Sequence, residues 1–171
     1  MKRVFGIAGW KNAGKTTLTV RLVEYLTGQG LSVSTVKHAH HTAAIDHEGT
    51  DSYRHRQAGA REVMLVTPSR FALMHELRGG EEEPALKELL DRMAEADLIL
   101  VEGYKRDPIP KLMILRDGDS EADALEEIPN IEALVYRGPD RMPESGKPAF
   151  AADDISGIAA FILSSLRLAK D

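Results

Sequence analysis

The sequence has no cysteine, which excludes thiolate metal sites and cysteine nucleophiles and leaves the redox compartment undetermined. It also lacks a long hydrophobic run. The longest is Ile158–Leu163, far short of the roughly 20 residues a membrane span needs. Lys2 and Arg3 precede apolar residues, but Lys11 interrupts that stretch too early for a signal peptide. Positive charge is in deficit: 22 Lys and Arg against 27 Asp and Glu give a net charge of −5. That balance argues against a protein that coats nucleic acid non-specifically. What remains is 43% hydrophobic and 29% charged, a globular rather than a disordered composition. The length of 171 residues suits a single domain spanning 1–171. A cytoplasmic chain without membrane or nucleic-acid partners is the expectation.

Hydrophobic patterning alternates strand and helix signals. Arg3–Ala8 reads as a strand, and a helix follows from about Gly14 to Leu26, with Leu18, Leu22 and Leu26 four residues apart. Ser32–Lys37 is β-branched and reads as a second strand. Asp51 and Ser52 are candidate N-caps for a short helix to Ala58. Val63–Thr67 and Arg70–Leu77 flank the Pro68-Ser69 turn as a hairpin or as adjacent strands. A helix is expected over Glu82–Ala94, and Leu98–Val101 is a short, wholly apolar strand of the kind buried on both faces of a parallel sheet. Lys111–Arg116 and Ile131–Val135 are further strands. The acidic segment Asp117–Asn130 reads as a surface excursion, and Asp153 or Asp154 caps a final helix. The fold class expected is α/β, three-layered, with a mostly parallel sheet flanked by helices.

The chemistry lies in the first loop. Gly9, Trp10, Lys11, Asn12, Ala13, Gly14, Lys15 and Thr16 match G-x-x-x-x-G-K-[ST], the phosphate-binding P-loop of nucleoside triphosphatases. The match sits between an apolar strand and a helix, the context its mechanism requires. Gly9 and Gly14 permit a turn that points successive backbone N–H groups inward, beside the positive end of the helix dipole. Lys15 would reach the β- and γ-phosphates, the Thr16 hydroxyl would ligate Mg²⁺, and Thr17 would assist at the α-phosphate. Glu102 ends an apolar strand at the carboxyl edge of the sheet, where a second carboxylate could serve the metal or order a water.

Five of the six histidines lie between His38 and His55. His38, His40 and His41 follow a strand end without the regular spacing of a zinc site, so a loop facing phosphate or substrate is favoured over a dedicated metal centre. Asp46 and Asp51 are the acids of this stretch that could approach Mg²⁺, and Asp51 serves equally as a helix cap. Arg54, Arg56 and Arg61 have two open readings, contacts to a phosphorylated ligand or a neighbouring subunit, and a solvated basic face. Lys105 and Arg106 invite the same two.

Taken together, GWKNAGKTTL at 9–18, VKHAHH at 36–41, DSYRHRQAGA at 51–60, FALM at 71–74, DLILVEGYK at 97–105 and LRDG at 115–118 resemble the molybdopterin-guanine dinucleotide biosynthesis adapter family, MobB. The resemblance implies a P-loop GTPase-like fold, of the class that includes the nitrogenase iron protein and the signal-recognition GTPases. It implies GTP and Mg²⁺ as ligands, weak hydrolysis, a homodimer, and partnership with the guanylyltransferase MobA in late molybdenum cofactor synthesis, with molybdopterin as a second ligand. By position, Gly9–Thr17 would cradle the GTP phosphates and Lys15 and Glu102 would act in hydrolysis. Thr16, Glu102 and Asp46 would serve the metal. Lys37, His38, His40, His41, Asp51, Ser52, Tyr53 and Arg54 would form the family's functional loop. The chain departs from the family at Thr42 and Ala44, where acids are expected, and Asp46 is the acid that survives. No N-K-x-D stands in the sequence; the segment Val135–Asp140 is where a base contact could lie, with Asp140 as a weak candidate. Two other functions share the motif, a small-molecule kinase and a GTP-dependent metal chaperone. The first lacks a late Arg-rich lid and the second lacks thiolates.

Overall fold

The computed structural model describes residues 2–39, 45–138 and 144–168. In chain order the elements are β1 (Val4–Gly9), α1 (Lys15–Gly28), β2 (Val33–Lys37), α2 (Asp51–Gln57), β3 (Glu62–Thr67), β4 (Arg70–His75) and α3 (Leu86–Arg92). They continue with β5 (Leu98–Glu102), β6 (Lys111–Arg116), α4 (Glu121–Glu127), β7 (Ile131–Arg137), β8 (Ala149–Ala151) and α5 (Ile155–Ser165). The chain forms two compact units, one of residues 1–38 and 90–171, the other of residues 39–89. His40, His41 and Asp140 lie outside the described residues.

The larger unit carries a six-stranded sheet in the order β2-β5-β1-β6-β7-β8, parallel throughout. β5, β1 and β6 are interior strands of it, flanked on both sides, which is why they read as near-continuous apolar runs. On one face Phe5, Ile7, Leu100, Leu112 and Ile114 pack against Leu18, Leu22 and Leu26 of α1 and Ile158 and Ile162 of α5. Leu22 and Leu26 are fully buried, as their four-residue spacing requires. On the other face Met113, Leu115, Leu134 and Tyr136 pack with Ala124 and Ile128 at α4. The three-layer α/β architecture is thus the one the alternation of elements implies. Lys111 starts β6 fully buried, its ammonium donating to the carbonyls of Asp107 and Pro129, both at 2.7 Å.

Three local expectations are corrected. Segment 117–130 is not a plain excursion. Ser120 caps α4 by accepting from the Asp123 N–H at 3.2 Å, and the acids of its first turn suit the helix dipole. The α3 helix is shorter than Glu82–Ala94, because Pro84 pushes Glu83 away from helical backbone. The cap of α2 is Thr50, whose hydroxyl accepts from the Tyr53 N–H at 3.4 Å, rather than Asp51 or Ser52. The cap of α5 is Asp154, accepting from the Gly157 N–H at 2.9 Å.

The smaller unit pairs β3 and β4 as an antiparallel hairpin from Glu62↔His75 to Thr67↔Arg70. Val63 and Met74 are buried within it, while Met64, Leu65, Val66, Phe71 and Leu73 are exposed. No helix among the described residues is long and apolar enough to cross a membrane.

Candidate functional site

The loop between β1 and α1 turns through two left-handed residues, Asn12 at φ 62° and Gly14 at φ 92°. Asparagine tolerates that conformation through its short polar side chain, and glycine adopts it without steric cost. No side chain caps α1 at Gly14, so the first N–H groups of a 14-residue helix face the loop, an arrangement complementary to an anion. The Lys15 ammonium curls back and donates to the carbonyls of Gly9 at 3.1 Å and Trp10 at 2.8 Å. Burial lowers its pKa; Glu102 opposes that shift, while Lys37 and Arg116 add to it. An anion in the loop would offset both the burial and the like-charge repulsion.

Three side chains from three elements converge beside Lys15. The Thr16 hydroxyl donates to Glu102 Oε1 at 2.8 Å. Lys37 Nζ donates to Thr16 Oγ1 at 3.2 Å and pairs with Glu102 Oε1 at 3.5 Å. Strand register produces this meeting: Glu102 pairs with Ile7 of β1 and with Lys37 of β2, so all three stand at the carboxyl edge. Glu102 is only 7% exposed, a buried carboxylate rather than a solvated strand end. Thr16 and Glu102 are hard oxygen donors of the kind Mg²⁺ takes. Among the described residues no cluster of three His, Asp or Glu side chains could hold an ion.

A cationic rim surrounds the loop. Lys105 Nζ stands 4.1 Å from the Trp10 ring centroid, a cation–π contact, and burial with the neighbouring Lys15 lowers its pKa against the pull of Glu127. Arg116 is held by both carboxylate oxygens of Asp119, at 2.9 and 3.1 Å, and donates to the Lys11 carbonyl at 3.1 Å. This brace ties the P-loop to the end of β6. The Arg137 guanidinium lies over Gly14, with Nη1 2.9 Å from where a Cβ would stand. Arg116 and Arg137 escaped the sequence reading. Arg116 had a signal in Asp119 three residues on, whereas Arg137 had none. His38 stacks on Tyr104 with ring centroids 4.7 Å apart, and Tyr104 itself is left-handed at φ 46°, an uncommon state for a bulky residue. A cavity of about 670 Å³ opens from Gly14 and Thr17 across the carboxyl ends of β6, β7 and β8.

The remaining sequence candidates belong to the smaller unit. Asp51, Ser52, Tyr53 and Arg54 form the first turn of α2. Ser52 is buried, and Asp51 and Arg54 form an exposed pair at 3.7 Å. Asp46 is engaged by Arg56 at 2.9 and 3.4 Å. Arg56 also meets Glu76 at 3.6 Å and lies 5.1 Å from the Tyr53 ring centroid. Asp46, Arg56 and Tyr53 therefore form one charge network in that unit.

Comparison with known proteins follows the same lines. The family model described as molybdopterin guanine dinucleotide synthesis protein B matches residues 4–137. The molybdopterin-guanine dinucleotide biosynthesis adapter protein of Haemophilus influenzae is 34% identical over 93% of this chain and 86% of its own. Its Escherichia coli counterpart is also 34% identical, over 94% of this chain and 91% of its own. The crystal structure of Bacillus subtilis MobB superposes with a TM-score of 0.75 at 31% identity, covering 95% of this chain and 96% of that one.

Proposed function

The chain belongs to the molybdopterin guanine dinucleotide synthesis protein B family, MobB, and from that premise we propose that it is a GTP-binding adapter in molybdenum cofactor biosynthesis. The observation that carries the nucleotide reading is the convergence of Lys15, Thr16 and Glu102 at one end of the parallel sheet. The backbone N–H groups at the start of α1 bind the phosphates, and Lys15 exchanges its two loop carbonyls for β- and γ-phosphate oxygens. Thr16 and Glu102 hold the metal, and Mg²⁺ when bound neutralises charge on the phosphates. Glu102 orients water on that side. Hydrolysis is slow in this reading. In this reading the protein is a homodimer that works in the cytoplasm beside the guanylyltransferase MobA, with molybdopterin as the second ligand. The cationic rim of Lys11, Lys105 and Arg116 suits a phosphorylated partner ligand.

Calorimetric titration of Mg·GTP into the wild type and Lys15→Ala tests the reading. The expected outcome is at least a hundredfold weaker binding in the variant with an unchanged melting temperature, because the substitution removes charge and little packing. Equal affinity in the two proteins sinks the assignment. Hydrolysis is expected to be independent of added small-molecule acceptors, and rapid phosphoryl transfer to an acceptor would put a kinase in its place.

A further inference from the structure

The cavity beside the P-loop holds a carboxylate that phosphate binding does not use. Asp117 follows β6 directly and lines this cavity together with Val135, Arg137 and Gly138 at the end of β7. A Cβ built on Gly138 would stand 2.3 Å from Asp117 Oδ1. The carboxylate therefore reaches across to the next strand and lies against Gly138. Two of the neighbouring cations are committed elsewhere: Arg116 is held by Asp119, and Arg21 donates to the carbonyls of Ala152 and Asp153 at 3.3 and 3.4 Å. Arg137 lies over Gly14 and lines the same cavity. Among the described residues Asp117 accepts no hydrogen bond and pairs with no cation.

A nucleotide with its phosphates on the P-loop would extend its base into this cavity, the space that opens from Gly14 and Thr17. A carboxylate is an acceptor only. Guanine presents N1–H and the 2-amino group side by side, two donors that match one carboxylate in a charge-assisted pair. Adenine offers an acceptor at N1 and repels it. We propose that Asp117 is the residue that selects guanine over adenine, a step that rests on the nucleotide reading of the P-loop.

The test is calorimetric titration of Mg·GTP, Mg·ATP, Mg·XTP and inorganic tripolyphosphate into the wild type, Asp117→Asn and Asp153→Asn, each checked for an unchanged melting temperature. Wild type is expected to favour GTP over ATP by about ten- to hundredfold, the discrimination a bidentate base contact gives. In Asp117→Asn the preference should pass from GTP to XTP, whose 2-carbonyl accepts from the new amide, while tripolyphosphate binds as before. Asp153→Asn, in the other carboxylate lining the cavity, should leave every ratio unchanged. An unaltered GTP-to-XTP ratio in Asp117→Asn, with tripolyphosphate still bound, overturns the assignment alone. The same holds for a ratio that changes only in Asp153→Asn. A wild type that binds neither nucleotide nor tripolyphosphate overturns the P-loop reading, and this inference with it.

Discussion

Thr16, Glu102 and Lys37 occupy a space of a few ångströms in which one ammonium and two oxygens already satisfy each other. A divalent cation would use the same two oxygens, so Lys37 competes for them. Glu102→Gln, which keeps the shape and removes the charge, is expected to raise the Mg²⁺ concentration for half-maximal GTP binding by about tenfold, the effect of losing one close charged ligand. Lys37→Met should act in the opposite sense and lower it several-fold. A magnesium titration monitored by nucleotide binding checks both, and identical midpoints in all three proteins would remove these residues from the metal site. Legibility at this scale was uneven. Lys15 and Thr16 could be named from their motif because eight contiguous residues carry the whole phosphate chemistry. Lys105 over Trp10 and Arg137 over Gly14 could not, since neither pair is close in sequence.

The α4 helix shows how one buried carboxylate fastens an element. Glu121 is 3% exposed and accepts from the Tyr136 hydroxyl at 2.7 Å, the Glu144 N–H at 3.0 Å and the Ser145 N–H at 2.8 Å. Burial alone would raise its pKa, but hydrogen bonds from Ser145, Glu144 and Tyr136 outweigh that and hold it at about 2. A carboxylate whose folded pKa lies below its unfolded value near 4.5 contributes stability that is complete above that value and lost as pH falls toward 2. Thermal melts should therefore place Glu121→Gln below the wild type at pH 7, with the two curves converging as pH approaches 2. A constant gap across that range would show the charge to be irrelevant. This helix was illegible in the sequence because its pattern is acidic and its apolar side is short, Ala124 and Leu125 with Ile128 just beyond. The three-residue β8 strand was equally so, being held by its pairing with β7 rather than by its own propensity. The long helices α1 and α5 were legible, since each carries several apolar residues at helical spacing.

Across the whole molecule a net charge of −5 coexists with a rim of Lys11, Lys15, Lys105, Arg116 and Arg137 around one loop. Binding of a polyanion there should weaken several-fold as ionic strength rises from 0.05 to about 0.5 M, because exposed charges are screened within a Debye length of about 10 Å at 0.1 M. Salt-independent affinity for GTP, measured by the same calorimetry, would show that the rim takes no part. The P-loop, the alternation that makes a parallel α/β sheet and the absence of thiolate chemistry are legible in the residue order alone. These depend on residue type and on spacings of a few positions, which local backbone geometry converts directly into structure. The folded chain alone buries Glu102 and bonds it to Thr16, 86 residues away, and brings Arg116 to the Lys11 carbonyl from 105 residues away. It also carries Asp117 to Gly138. Such contacts follow from strand order and register, which are set by how the whole apolar surface is buried and which no short window of sequence contains.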